Sequence, residues 1–595
     1  MPLPEFTGGS LGLRRAAHLL RRAAFGGTKQ QIDDFANLTA AAAVDRLYGA
    51  TLPDPPLPID PDTGTDWVSA PFDDSVNNIN MENYFRGWFI GQMMSQGVDE
   101  SLSLPYAARE RIVYFLHTHF TTIMSRVRTA QALYFQNQLF RIFALDGATT
   151  TPDKDFKTLT VKLCVDNAML RVLDGVLNVK GEPNENYARE FHELYTIGRG
   201  LEGKVPPVTG QGDYYYYTEA EVKAAALVFS GWDSDMTLET IDPDTLLPRG
   251  KVKGSTDNAT QHNNDTARKR FQYGPRDLAP VVQITPDPTL TNGTNPTEES
   301  ALDEIRQLVD AVYANPETPQ NICRKIYRFF VWAPHTPEDM NPIDETIIKE
   351  MANTFIANNY KLQPVIENLL RSQHFYEAAG GAREVTDDNF GGIIKSPIDL
   401  VVGTYRFFDV QLPDMKTNPV DFYAATKDVL GILEDHGMMF YEPFDIAGYD
   451  AYYQYSTYHR AWITPNTLTE RYNFIQRLFR AEQPGLVKVN PHEFIRNNFG
   501  DVAPSARDLM IKVVTYLLPN IDKLSFDLNT DQDDFTTLTA ERLNYFLGRF
   551  VESTGNANPE VYWGTTWASY NEQELTPWLA TFFDAILQTP EYQLG

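Results

Sequence analysis

The stretch Gly181–Gly200, GEPNENYAREFHELYTIGRG, gathers two amides, four carboxylates, two arginines and a histidine. On a helix Glu185, Arg189 and Glu193 fall four apart and form a carboxylate–guanidinium–carboxylate ladder on one face. Asn186, Glu190 and Glu193 project an amide and two carboxylates from a neighbouring angle. Carboxylates at i and i+3 are what helical bundles use to hold divalent metals, with a histidine from a second helix. Two readings follow: a buried charge network tied through Arg189, or a metal or acid/base site. In the first, Arg189 and Glu190 are expected to be buried, with Arg189 on Glu185 or Glu193.

The histidine for the second reading comes from His117 or His119 in FLHTHFTTIMSRV. Residues two apart on a helix point about 200° apart, so only one can face a given site. His117 shares its direction with the apolar Val113 and Phe120, His119 with Phe115 and Thr122. The more polar face predicts that His119 turns toward Glu190 or Glu193, giving a candidate divalent-metal set of His119, Glu190 and Glu193. The plain alternative for either ring is a satisfied core histidine.

Further candidates lie on irregular chain, where polar side chains more often serve function. His262 and Lys269 sit in QHNNDTARKRFQYG. Tyr217 ends the run Tyr214–Tyr217, and Tyr449 and Trp462 belong to the aromatic loop Phe440–Trp462. Both aromatic stretches are expected to approach the signature segment and wall a pocket on it, and packed core edge is the competing reading of each. No Gly-x-Ser-x-Gly elbow, Walker loop, dinucleotide fingerprint or His-Glu-x-x-His helix occurs.

The elements that must carry these residues read as helices. Leu13, Ala16, Ala17, Leu20 and Ala24 have helical spacing, with Gly26-Gly27 as the stop. Thr28 with Gln31 and Thr218 with Glu221 are capping-box pairs. Leu302–Phe375 is helical by period, and three amphipathic helices are expected after residue 500. The region from about 233 to 300 is irregular, with a plausible hairpin in DPDTLLPRGKVKG. The fold expected is mainly α: a large multi-helix body over 1–475 with a minor-β insertion at about 233–300, and a helical region over 476–595 packing on the body.

Of 595 residues, 42% are hydrophobic and 12% aromatic, which supports a large core and excludes a disordered chain. A net charge of −28 opposes contact with a phosphate backbone, so no nucleic-acid partner is expected. Two cysteines, Cys164 and Cys323, exclude a disulfide framework and a thiolate zinc cluster. No apolar run reaches the ~18 residues of a membrane span. MPLPEFTGGS lacks the pattern of a secretory signal. If Met1 is the native start, the expected location is cytoplasmic, with the periplasm or cell exterior by a partner-assisted route as the alternative.

The signature N-E-N-Y-A-R-E…E-L-Y-T-I-G, then YTEAEV and SGW (Tyr217–Trp232), resembles the bacterial domain-of-unknown-function family numbered 1800. AHLLRRAAFG near the start, FLHTHF, IIKSPIDLVVG and the segment Met439–Phe474 are similar to further parts of its pattern. Leu116, Thr118 and Tyr449 depart from the usual Trp, Asn and Trp. The family's His-Asp pair before a Lys is broken, because Asp265 follows His262 by three positions. The resemblance implies no reaction. It does imply a partner, a sulfatase-like protein of the family numbered 1501. Two functional classes remain: a non-enzymatic envelope, secretion or assembly component binding a protein or polysaccharide through an acidic, tyrosine-rich surface, or a metal-assisted or acid/base enzyme, hydrolase or oxidoreductase, centred on Glu190, Glu193 and a histidine.

Overall fold

The computed structural model describes residues 3–595 except 71–77, 148–153, 209, 276–277, 377–391, 481–484, 486, 520–523 and 530–537. Parts of the expected insertion and of the expected C-terminal region therefore lie outside the described residues. More than half of the chain is helical, and the β structure is two small antiparallel sheets.

The helix Glu100–His119 is buried on nearly every side from Leu104 onward, as expected of a helix with apolar residues all round. It contacts the helices Gly12–Ala24, Ala40–Tyr48, Asn78–Met93 and Ala130–Ala144. Its one buried carboxylate, Glu110, accepts hydrogen bonds from Arg109 at 3.0 Å and from Arg141 at 2.9 Å.

Local signals set the helix starts. Thr28 with Gln31 and Thr218 with Glu221 form complete capping boxes before Lys29–Ala36 and Glu219–Val228. The opening helix stops one residue before the expected glycines: Phe25 itself takes the left-handed conformation, and the Gly26 N–H donates to the Leu20 carbonyl at 2.8 Å.

In the insertion Trp232 pairs with Val252 and Phe271 with Val282. The expected hairpin is only a turn, bridged between Ile241 and Pro248. Beyond residue 500, the helices Ala506–Leu517, Ala540–Glu552 and Glu572–Leu587 are joined by Pro559–Ser569. Phe583 of this group stacks on Phe479 at 4.7 Å. The opening helix reaches the same part of the chain, with Arg14 donating to the Pro519 carbonyl, Arg21 to Tyr516 and Arg22 to Gly595.

Candidate functional site

The signature segment is not one regular helix. Asn186–Glu190 is α-helical, and Phe191–Tyr195 widens into a π turn, a feature that recurs at functional sites. Thr196 supports the wide turn by donating its hydroxyl to the Phe191 carbonyl at 2.7 Å. Gly198, at a φ of 70°, packs where a Cβ would come within 2.7 Å of the Asn321 side chain.

The π turn splits the expected ladder. Arg189 lies 3.5 Å from Glu185 but binds Glu219 through two contacts of 3.0 and 3.1 Å. Glu193, rotated off that stripe, pairs instead with Arg199 and accepts from the Tyr214 hydroxyl at 3.2 Å. The network is also less buried than expected, for the Arg189 side chain is 32% exposed. Asn186 turns away from the carboxylates and donates to Asp174 at 3.3 Å.

His119 does not join Glu190 and Glu193. Its Nε2 donates to the Tyr195 carbonyl at 3.1 Å, and its ring packs against Phe115, Phe120 and Phe156. Burial, then the neighbouring Lys325, hold this imidazole well below its ordinary value. His119 thus closes a carbonyl left open where the π turn ends, as Asn321 does for Thr196 and Lys325 for Leu194. His117 stacks on Tyr441 at 3.8 Å and is a core histidine, its pKa pushed down to about 3 by burial. His192 bridges the Ala188 carbonyl and the Tyr273 hydroxyl. Among the described residues, no group of three or more His, Cys, Asp or Glu side chains is arranged to hold a metal ion.

Glu190 is different. It is partly buried and has no hydrogen-bond or ion-pair partner among the described residues. Burial, then the adjacent Glu193, raise its pKa to about 7; Arg189 opposes the shift and Asp445 adds to it. Two buried phenols interact electrostatically with Glu190, and the hydroxyls of both, Tyr195 and Tyr217, lack hydrogen-bond partners among the described residues. Tyr217 also stacks on His192 at 5.0 Å. Two buried hydroxyls are therefore unsatisfied near a partly exposed carboxyl, and unsatisfied hydroxyls are unusual for buried polar groups.

The aromatic loop serves two ends. Tyr449 is buried, its hydroxyl accepting from the Tyr441 N–H at 2.9 Å, and Trp462 packs 6.2 Å from it. These two are core edge. The loop's tip is not: Phe444 is fully exposed, beside the Asp445 that acts on Glu190.

His262 and Lys269 form a closed clasp with Glu304, a residue that sequence reasoning missed. His262 binds Glu304 at 3.0 Å and the Ser230 carbonyl at 2.9 Å, and Lys269 binds Glu304 and the Asn263 carbonyl. The carboxylate that answers His262 thus comes from the helix Glu298–Tyr313 and not from Asp265. All three side chains are buried, so the clasp anchors the insertion.

Residues 18–594 match the model of a family described as "Protein of unknown function (DUF1800)". No curated protein and no solved structure matches the chain. No helix among the described residues is long and apolar enough to cross a membrane.

Proposed function

We propose, for a chain that belongs to the DUF1800 family of proteins of unknown function, that the face around Glu190 binds a neutral polysaccharide. The observation that carries this reading is the partly exposed Glu190 carboxyl, without a protein partner among the described residues, with the unsatisfied Tyr195 and Tyr217 hydroxyls near it. Sugar hydroxyls both donate and accept, so a sugar answers the Glu190 carboxyl in either protonation state. A carboxyl with a pKa near 7 supplies either role at neutral pH. The exposed Phe444 ring, next in sequence to Asp445, offers an apolar stacking face, and a net charge of −28 disfavours anionic polymers. The same proposal includes a role as an envelope, secretion or assembly component, with a sulfatase-like protein of the family numbered 1501 as partner.

Affinity electrophoresis against soluble neutral glucans, mannans and xylans tests the reading. Wild-type protein is expected to be retarded by at least one polymer, and Phe444→Ala and Glu190→Leu to lose the retardation without a lower melting temperature. No retardation by any neutral polymer, or equal retardation of both variants, refutes it.

A second reading, hydrolysis of the bound chain, is favoured by the raised pKa of Glu190 and the second carboxylate at Asp445. Glycosidases use two carboxyl groups, the one with the raised pKa as general acid. Release of reducing ends that disappears in Glu190→Gln would move the assignment to an enzyme.

A further inference from the structure

The helix Pro397–Phe407 ends against the turn that leads from Asn78–Met93 into Glu100–His119, and a cavity of about 370 Å³ opens there. Its lining carries one cation, the buried Arg406, and two carboxylates, Asp409 and Glu100. We infer that this cavity binds a small zwitterion, a free α-amino acid, with its carboxylate on Arg406 and its ammonium toward Asp409 and Glu100.

Arg406 is the member that points to a ligand. Every partner it has is neutral: the carbonyls of Gly26 and Met93 and the hydroxyls of Ser95 and Ser103, which accept at 3.3, 3.4, 3.2 and 3.4 Å. Well-made N–H···O bonds are shorter, at about 2.9–3.0 Å. Among the described residues no carboxylate forms an ion pair with Arg406. Burial lowers its pKa to about 10, with Asp409 opposing. A buried guanidinium held only by long contacts to neutral groups keeps both its charge and its capacity for a stronger acceptor.

Asp409 follows three positions later and its N–H donates to the Arg406 carbonyl at 3.2 Å, yet the two side chains do not pair. The chain has left the helix, and Asp409 takes the left-handed conformation at a φ of 51°. Its carboxylate accepts from Gln411 at 2.9 Å. Partial burial, then the neighbouring Glu100, raise its pKa, with Gln411 and Arg406 opposing. Opposite charges thus stand apart in one cavity. A zwitterion answers both, its carboxylate offering acceptors to the guanidinium fork and its ammonium three donors to the carboxylates. An anion alone meets two carboxylates in the lining, and a cation alone meets the guanidinium. The volume falls at the small end of the ~300–1,000 Å³ typical of ligand sites. A second cleft of about 760 Å³ shares the wall at Asp409, Gln411 and Phe494, which leaves room for the side chain of the amino acid. The lining shares no residue with the Glu190 face, so the two readings stand or fall separately.

Melting curves and calorimetric titration of the full chain against each of the common amino acids test the inference. At least one is expected to raise the melting temperature to a plateau and to fill one saturable site per chain. Its methyl ester, which lacks the carboxylate, and its deaminated acid, which lacks the ammonium, should bind about tenfold or more weakly, the loss of one hydrogen bond between charged groups. Arg406→Gln and Asp409→Asn should weaken binding of the zwitterion to the same extent. Asn accepts a left-handed backbone, so Asp409→Asn decides alone if Arg406→Gln does not fold. A chain that no amino acid shifts at millimolar concentration uses Arg406 only to tie the helix end to the turn, and the inference is overturned. Single-charge analogues that bind as tightly as the zwitterion, or folded variants of unchanged affinity, overturn it as well.

Discussion

Replacing Glu190 by Gln should make the protein more stable at alkaline pH and leave it unchanged in acid. The carboxyl is raised from an ordinary 4.5 to about 7 in the folded chain. At ~1.36 kcal/mol per pH unit the full effect is about 3.4 kcal/mol. The side chain is partly open to water, and screening reduces this to roughly 1.5–2 kcal/mol. Between pH 4.5 and 7 the folded state holds the proton more tightly than the unfolded state. Stability therefore falls as pH rises through that window, and the loss is complete above about 7. Gln removes the ionisation and with it the slope. At about 2.1 cal/mol/K per residue, a 595-residue chain melting as one unit would gain roughly 1–2 °C at pH 8. Melting curves of both proteins at pH 4.5, 6 and 8 give the answer. A variant that is no more stable at pH 8 means that the carboxylate has a stabilising partner in the folded chain, and the unsatisfied-group reading of the site fails.

Two further substitutions calibrate the charge networks. Arg189→Leu should cost less than ~1 kcal/mol in chemical denaturation, because its partners Glu185 and Glu219 are water-screened; a loss above ~3 kcal/mol would show a buried network after all. Arg141→Met should cost about 3–5 kcal/mol, since it leaves the fully buried Glu110 with Arg109 alone, and a loss under ~1 kcal/mol would contradict the burial of that pair.

The capping pairs at Thr28 and Thr218 were legible because each is decided within four residues. The ladder was not, for a regular period of 3.6 residues cannot anticipate the π turn that moves Glu193 from Arg189 to Arg199. Partners distant in sequence were equally out of reach: Glu304 for His262, Glu219 for Arg189 and Asp445 for Glu190. His119 was expected to face Glu190 or Glu193; its polar contact is instead a backbone carbonyl, which no pattern of side chains reveals. Phe444 was hidden inside a run of aromatic residues whose other members mostly pack inward.

The bonds from Arg14, Arg21 and Arg22 to the carbonyls of Pro519, Tyr516 and Gly595 span 495 to 573 residues of sequence. A ribosome delivers the opening helix first and its acceptors last. At roughly 5–20 residues per second, the arginines of Gly12–Ala24 wait on the order of half a minute or more for those carbonyls, while Lys29–Ala36 and Glu100–His119, on which the helix also packs, are made early. During that interval the emerging polypeptide exposes unpaired guanidinium donors on an otherwise acidic molecule, a natural handle for a holding chaperone. Once that part of the chain has docked, Arg22 lies against Gly595.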